Sequence, residues 1–484
     1  MSLTSALSNA LSGLSVASRH AQVISTNIGN AQTPGYARRA LQLAPMNEYF
    51  GGGVTVTGIS RVVDDVVIGD RRIADSALAN TAAKSEFMQA LERLVGTPDQ
   101  AGSLFGRFTQ FEAALATAAA KPEEETRLNA VFLGARDLAG GLVSTSREIQ
   151  AMRTDAEVKI RQSVDDLNTY LSQVETLNAA IVDAGNTGHA TASFEDQRRL
   201  VLDQIADLVP LRVVQRDTGA VALFTPSGAT LLDPSPARIG FSAANLVGPQ
   251  MTQANGLLEG LTINGVDIRT DGTRSPIAGG RLAALFEIRD GLAVDAQARL
   301  DALTRDLVER FQNASIDSTR APGDAGLFTD TGGVFDATDE IGISGRVAVN
   351  TLVDPGQGGA LWRLRDGLGA ATPGPVGNGA LLNDLANALD SKGSMASGDL
   401  GATARSVGGH VSTFLSMVGQ QGLSLERDMS FATARRSSLV EIELGMGVDT
   451  DAEMESLLLV EKAYTANARM MQVIDEMFEA LMRI

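Results

Sequence analysis

Cysteine is absent from this 484-residue chain, which excludes disulfides, thiolate nucleophiles and thiolate-bound metals. It leaves the compartment open, because exported proteins can also lack cysteine. Aromatic residues make up only 4%, so helical cores must rely on Leu, Val, Ile and Ala. No uninterrupted apolar run approaches the length of a membrane span, which argues against membrane insertion. The start lacks a basic segment followed by continuous apolar residues, so it does not read as a cleavable secretory signal, and export would need another route. Acidic residues are missing from the first 47 positions. Glu48 is the first, and before it only Arg19, Arg38 and Arg39 carry formal side-chain charge. The chain as a whole is at −18, which argues against a nucleic-acid partner and against general attraction to anionic membranes.

Recognisable catalytic patterns are also missing. His20, His189 and His410 lie far apart, and none belongs to HExxH or another metal spacing. His189 sits in a Gly/Thr loop with Glu195 and Asp196 nearby, so an enzyme reading would look there; a solvated loop histidine is the plainer alternative. Asp449, Asp451 and Glu453 alternate like a calcium loop but lack its glycine and distal glutamate. Helix capping explains them better. Gly51, Gly52 and Gly53 lack the lysine and helix start of a phosphate cradle, and no GxSxG occurs. The expectation is no catalysis, no metal and no cofactor.

What is present is periodicity. Leu3, Leu7, Ala10, Leu14, Ala17, Ala21, Ile24 and Ile28 are spaced four and three without a miss, a heptad seam. The helix then meets the box STNIGNAQTPGY. Pro34 biases Thr33 away from helical dihedrals, and Thr33-Pro34-Gly35-Tyr36 suits a type II turn, with glycine where φ must be positive. Asn27, Asn30 and Gln32 offer carboxamide hydrogen bonds and nothing that titrates. At the other end Leu457, Val460, Tyr464, Asn467, Met471, Ile474, Phe478 and Leu481 repeat the seam, with Thr450 and Glu453 in a capping-box pattern. An Asn within a seam, here Asn467, can fix register. Isolated helices are marginal in water, so the two ends should need each other and neighbouring subunits.

Between the ends, residues 51–67 read as a short strand or hairpin. Helical faces follow at Phe87, Ala90, Leu91, Leu94 and Val95, then at Leu104, Phe108, Phe111 and Leu115. A long helical stretch starts near Pro122, with Gly140-Gly141 a candidate interruption, and carries a second seam from Ile160 to Ile181 that reads as an intramolecular helix pair. Ser193 and Asp196 can cap the next helix. Turn-rich alternation over 211–275 indicates a small β domain. Helix returns at about 280–314, residues 321–399 are glycine-rich with a strand at RVAV and a helix at LLNDLANAL, and another helix carries Val407, Val411, Phe414 and Val418.

STNIGNAQTPGYARR resembles the N-terminal box of the bacterial flagellar axial proteins, the family of rod, hook and hook-associated subunits, and GVDTDAEMESLLLVEKAYTANARMMQVIDEMFEALMRI resembles their C-terminal helix. Gly29 and Ala37 depart from the usual alanine and serine of that box. The long helical stretch followed by SFEDQRRLVLDQIADLVPLRV is similar to the hook-associated members at the first hook–filament junction. The resemblance covers most of 1–215 and 276–484. It implies a mainly α fold with a smaller β domain: terminal helices paired as a coiled coil (1–45 and 445–484), a helical middle domain (46–210, 276–320 and 400–444), an inserted outer β domain (211–275), and a glycine-rich segment (321–399) attached to the middle.

The resemblance further implies a structural subunit that forms a ring with copies of itself distal to the hook. Its partners would be the hook protein, the next junction protein and an export chaperone on the C-terminal helix. It would leave the cell through the flagellar type III channel and reside extracellularly at the hook–filament junction. By motif, Asn27, Asn30, Thr33, Pro34, Gly35 and Tyr36 belong to the box, and Tyr464, Ala466 and Asn467 to its C-terminal counterpart. A rod or hook subunit shares the box but not the long helical middle. Flagellin or another type III secreted coiled-coil protein shares the helical ends but not the box.

Overall fold

The computed structural model describes residues 3–46 and 52–482. Gly51, where the expected strand segment begins, and the outermost residues of the expected terminal segments lie outside this range. In chain order the helices are α1 (Leu3–Gly29), α2 (Asp65–Val95), α3 (Leu104–Ala120), α4 (Glu125–Asn186), α5 (Ala192–Leu208), α6 (Arg281–Glu287), α7 (Ala293–Gln312), α8 (Arg363–Asp366), α9 (Ala380–Asp390), α10 (Val407–Gly445) and α11 (Thr450–Met482). The strands are β1 (Arg39–Pro45), β2 (Val54–Arg61), β3 (Arg212–Gln215), β4 (Val221–Phe224), β5 (Thr230–Leu232), β6 (Ile239–Gly240), β7 (Leu261–Ile263), β8 (Val266–Ile268), β9 (Phe328–Asp330) and β10 (Val347–Val349). The fold is mainly α with small antiparallel sheets, as the resemblance implied.

The chain forms two compact units, and their boundaries fall inside α2, α4 and α10 and between Arg238 and Ile239, where β6 begins. One unit comprises Met1–Leu78, Asp166–Arg238 and Ala432–Ile484. In it α1 packs along α11 around Ala17, Ile24 and Val460, with Ala21, Ile28 and Leu457 at the edge. The helices run antiparallel, since Asn27 meets Glu453 at one end and Gly13 meets Asn467 further along. Strands β1 and β2 form a hairpin from Arg39↔Arg61 to Pro45↔Val54. Strand β1 was not anticipated, although Leu41 and Leu43 alternate as strand residues do.

Helix α4 continues without a break through Gly140-Gly141, so the candidate interruption is not one. A side chain at Gly141 would meet Arg107 Cδ at 2.7 Å; glycine there leaves room for the Arg107 side chain against α4 while the hydrogen-bond ladder continues. Seam residue Asn178 on α4 receives the Val221 amide at 3.1 Å and donates to its carbonyl at 2.8 Å. The helix thereby satisfies one residue of the sheet β3-β4-β5, so this seam position meets a strand and not the second helix of the expected pair. Arg198 donates to Asn178 and to the Gly219 carbonyl at 2.8 and 2.9 Å, and burial lowers its pKa to about 10.

The other unit comprises Ala79–Asp165 and Ile239–Phe431. Its apolar core is continuous through α3, α7, α9 and the start of α10. Phe111, Phe311 and Phe328 meet at centroid separations of 5.2 to 6.0 Å. The expected helical faces at Leu91, Leu104, Phe108, Leu115, Val407, Val411, Phe414 and Val418 all join it. Polar ties hold the irregular segments: Arg289 pairs with Glu157 at 2.5 Å with both side chains fully buried. Asp301 accepts the Gly342 and Ser344 amides at 2.8 and 3.1 Å. The turn-rich region 211–275 comprises two three-stranded sheets, β3-β4-β5 in the first unit and β6-β7-β8 in the second. Alternation and turn residues report strands but not which strands pair.

Candidate functional site

The box ends α1 as its residues dictate. Asn30 returns its side chain to the Thr26 carbonyl at 2.9 Å and receives Thr33 Oγ1 at 3.2 Å. The Tyr36 amide donates to the Thr33 carbonyl at 3.1 Å, and Gly35 sits at φ +78°, the geometry of a type II turn. A Cβ on Gly35 would also lie 2.8 Å from Leu200. Both conformation and space select glycine.

Asn27 is the centre of the site. It is 1% exposed, and its amide nitrogen donates to the Arg39 carbonyl at 2.9 Å and to Glu453 Oε2 at 3.1 Å. Its oxygen accepts the Tyr36 hydroxyl at 2.8 Å and the Arg39 amide at 2.9 Å. Two donor hydrogens and two acceptor lone pairs are thus all engaged, joining helix, turn, hairpin and α11 at one carboxamide. Glu453 is also buried and takes Arg38 Nε at 2.6 Å on its other oxygen. Burial raises the Tyr36 pKa; Arg39, 4.9 Å from the ring centre, opposes this, while Asp196 and Glu453 add to it.

Two sequence expectations are corrected here. Thr450 and Glu453 do not form the cap of α11: Asp449 does, accepting the Asp451 and Ala452 amides at 2.9 and 3.2 Å. Glu453 is used instead as the partner of Asn27 and Arg38. Likewise Ser193 and Asp196 lie inside α5, which starts at Ala192. Asp196 accepts Arg61 Nε at 2.8 Å, Arg39 Nη2 at 3.4 Å and the Ala37 amide at 3.4 Å. A half-buried carboxylate next to arginines gains more from ion pairing than an exposed cap gains from one amide.

Beside the turn opens a groove of about 620 Å³, whose walls include Pro34, Tyr36, Val440 and Leu444. Its charged side is an ion-pair lattice in which Arg71 reaches Asp75 at 2.5 Å, Asp203 at 2.7 Å and Glu443 at 2.5 Å. Arg199 joins Glu443, and Arg436 joins Asp75 at 2.8 Å. Burial lowers the Arg72 and Arg199 pKa values, and Asp203 partly offsets this.

Among the expected seam residues, Ile24, Val460 and Ile474 are buried, and Leu3, Leu7, Leu14, Ile28, Leu457, Asn467, Met471 and Phe478 are half-buried. Tyr464 and Leu481 are exposed, contrary to a seam wholly covered within one chain. Asn467 lies against Gly13, where a Cβ would meet its Nδ2 at 2.7 Å. Sequence reasoning missed Arg38, Arg39, Arg61 and Glu453 as a group. The available signal was an N-terminal segment with arginines and no acid, whose counter-ions had to come from elsewhere in the chain.

The histidines stand apart from this geometry. His189 is exposed and contacts Thr187 Oγ1 at 2.8 Å, and His410 is buried against the Gly393 carbonyl at 2.8 Å. Among the described residues, no group of three His, Asp or Glu side chains could hold a metal ion, and no helix is long and apolar enough to cross a membrane.

Residues 88–328 match the family described as the flagellar hook-associated protein FlgK helical domain. Residues 444–484 match the flagellar basal body rod FlgEFG protein C-terminal family. Flagellar hook-associated protein 1 of Escherichia coli (strain K12) aligns at 24% identity over 558 residues, covering 100% of both chains. The chain belongs to the flagellar hook-associated protein 1 family. The Bacillus subtilis (strain 168) member is 20% identical over 94% of this chain and 92% of its own. The solved flagellar hook junction protein FlgK from Burkholderia pseudomallei aligns over 54% of this chain and 46% of its own at 20% identity and TM-score 0.43. Hook-associated proteins are structural components of the flagellum, and the site built around Asn27 sits in the two terminal segments of such a component.

Proposed function

We propose that the chain is a structural junction protein of the bacterial flagellum, assembling with copies of itself as a ring between hook and filament. The observation that carries the reading is the Asn27–Glu453 contact within a family of hook-associated proteins. It joins residues 426 positions apart in sequence, so the two ends act as one element while the intervening chain is free to build other domains. The terminal segments 1–45 and 445–484 form the axial element in this reading. The hook protein and the next junction protein are its neighbours in the assembled flagellum. Export proceeds through the flagellar type III channel, and an export chaperone holds α11 beforehand.

The function is mechanical rather than catalytic. Each hydrogen-bonding position of Asn27 is spent on the fold, and a carboxamide supplies no acid, base or nucleophile. The exposed seam residues Tyr464 and Leu481 support self-assembly, because a row of apolar side chains left in water by one chain gains free energy when a neighbour covers it. The test is electron microscopy and motility of cells lacking the gene. Normal-length hooks without filaments, with flagellin shed into the medium, are expected. Missing hooks would assign the chain to the rod or hook, and intact motile filaments would overturn the junction reading.

A further inference from the structure

Helices α6 and α7 are joined through a π turn, Ile288–Leu292, a rare helical form that occurs mostly as single turns and frequently at functional positions. The turn carries Arg289, whose side chain is fully buried. Its guanidinium donates to Glu157 on α4 at 2.5 Å, to Asp290 at 2.6 Å and to the Glu259 carbonyl at 3.1 Å. It also lies 4.9 Å from the Phe286 ring centre and 5.9 Å from that of Phe241. One turn back on α4, Arg153 is fully buried as well. It donates to the Arg289 carbonyl at 2.8 Å, to the Gly248 carbonyl at 3.0 Å and to the Met251 carbonyl. Glu157 takes the Ala244 amide at 2.8 Å on the oxygen that Arg289 leaves free, and Thr154 Oγ1 accepts the Val247 amide at 3.3 Å.

The formal charges cancel, Arg153 and Arg289 against Glu157 and Asp290. Burial lowers the Arg153 pKa to about 10, Asp290 and Glu157 oppose this, and Arg289 adds to it, so the guanidinium stays charged at neutral pH. Every hydrogen bond that Arg153, Thr154, Glu157 and Arg289 make with 244–259 ends on a main-chain group. Those groups lie outside β6, β7 and β8, so strand pairing does not hold them. Apolar burial is non-directional and tolerates sliding of one packed surface over another. A shift of 239–275 along α4 would instead leave buried guanidinium and carboxylate groups unpaired, which costs more than losing a neutral hydrogen bond.

We propose that this four-charge cluster is an orientation lock: it fixes the sheet β6-β7-β8 at one angle on the α4 and α7 helices of the same unit and adds little to that unit's net stability. A buried ion pair spends most of its attraction on desolvation, so its net yield is small, yet only one arrangement satisfies all of its members. The sheet thereby becomes a rigid extension of the helices. The lock belongs to a single chain and operates whether or not the chain is assembled.

The cysteine-free sequence permits spin labels at chosen sites of the full-length protein. Leu133→Cys on α4 and Val266→Cys on β8 are exposed positions, and pulsed electron paramagnetic resonance reads the distance distribution between labels placed there. The parent should give one narrow distance. Combining Glu157→Met with Arg289→Met exchanges the buried pair for apolar side chains; it should broaden the distribution about twofold or more, with the denaturant midpoint unchanged or raised. A control pair within the helical body, Leu133→Cys with Leu352→Cys, should stay narrow. A distribution as narrow as the parent's in the double variant would overturn the proposal, as would broadening of the control pair or a large fall in the midpoint, which would make the cluster an ordinary stabilising contact. Amide exchange of the unaltered protein tests the same point without a core variant. The Ala244 and Val247 amides, outside any strand, should exchange at least about a hundredfold more slowly than unstructured amides; exchange at the unstructured rate would overturn the lock.

Discussion

Phe111, Phe311 and Phe328 lie in a continuous apolar core, whereas α1 and α11 meet around the small cluster of Ala17, Ile24 and Val460, with Gly13 against Asn467 and the Asn27–Glu453 hydrogen bond fixing their register. The first region is complete in a single chain. The second leaves Leu459, Met470, Val473, Met477 and Leu481 in water. Apolar burial is non-directional and stabilises whatever is packed, while a buried carboxamide with four partners enforces one geometry. The terminal pair is therefore built for direction and register, and the middle for stability.

The largest effect should come from breaking the middle. Phe311→Ala removes a ring that contacts both Phe111 and Phe328, and such truncations cost about 3–5 kcal/mol. Denaturant unfolding should show the main transition shifted by this amount. Second, Asn27→Ala leaves Glu453, Tyr36 and the Arg39 backbone without their shared partner. The cost is roughly 2–3 kcal/mol, and it should appear as faster proteolysis and amide exchange in α1 and α11 with the main transition unmoved. A shifted main transition would erase the distinction between the two regions.

Third, Gly35→Ala forces a side chain into a positive-φ turn position against Leu200, at about 1–2 kcal/mol. It should loosen the turn and α1 in the same exchange experiment. The smallest effect is a pH dependence in the second unit. Burial raises the Glu112 pKa, and Asp390 adds to the shift through its charge and a hydrogen bond. A carboxyl group whose folded pKa is raised contributes stability that is present below its unfolded pKa and lost as pH rises through the folded value. Glu112→Gln should therefore flatten the decline in stability as pH rises above the ordinary carboxylate range, and differ little from the parent in acid. Equal pH slopes for the two proteins would contradict this origin.

Much of this comparison was readable from residue spacing. The seams of α1 and α11, the helical faces at Leu91, Phe108 and Phe414, and the Thr33–Tyr36 turn follow from period and turn chemistry, which act over a few residues. What spacing could not show is long-range pairing. Glu453 fits a local capping-box pattern, and only the tertiary contact with Asn27 and Arg38 displaces that reading. Asp196 fits a cap in the same way until Arg39 and Arg61 arrive from the hairpin. The 211–275 strands announced themselves by alternation, yet their division into two sheets depends on partners outside the segment.

The central claim, that a single chain completes its middle but not its ends, is tested most directly by hydrogen exchange of the free protein followed peptide by peptide. Amides of α7 should exchange only through global unfolding, while those of α11 beyond Asn467 should exchange at least about a hundredfold faster, as expected of a segment that opens locally. Uniform protection along α7 and α11 would mean that the terminal pair is already complete in one chain, which would contradict that claim.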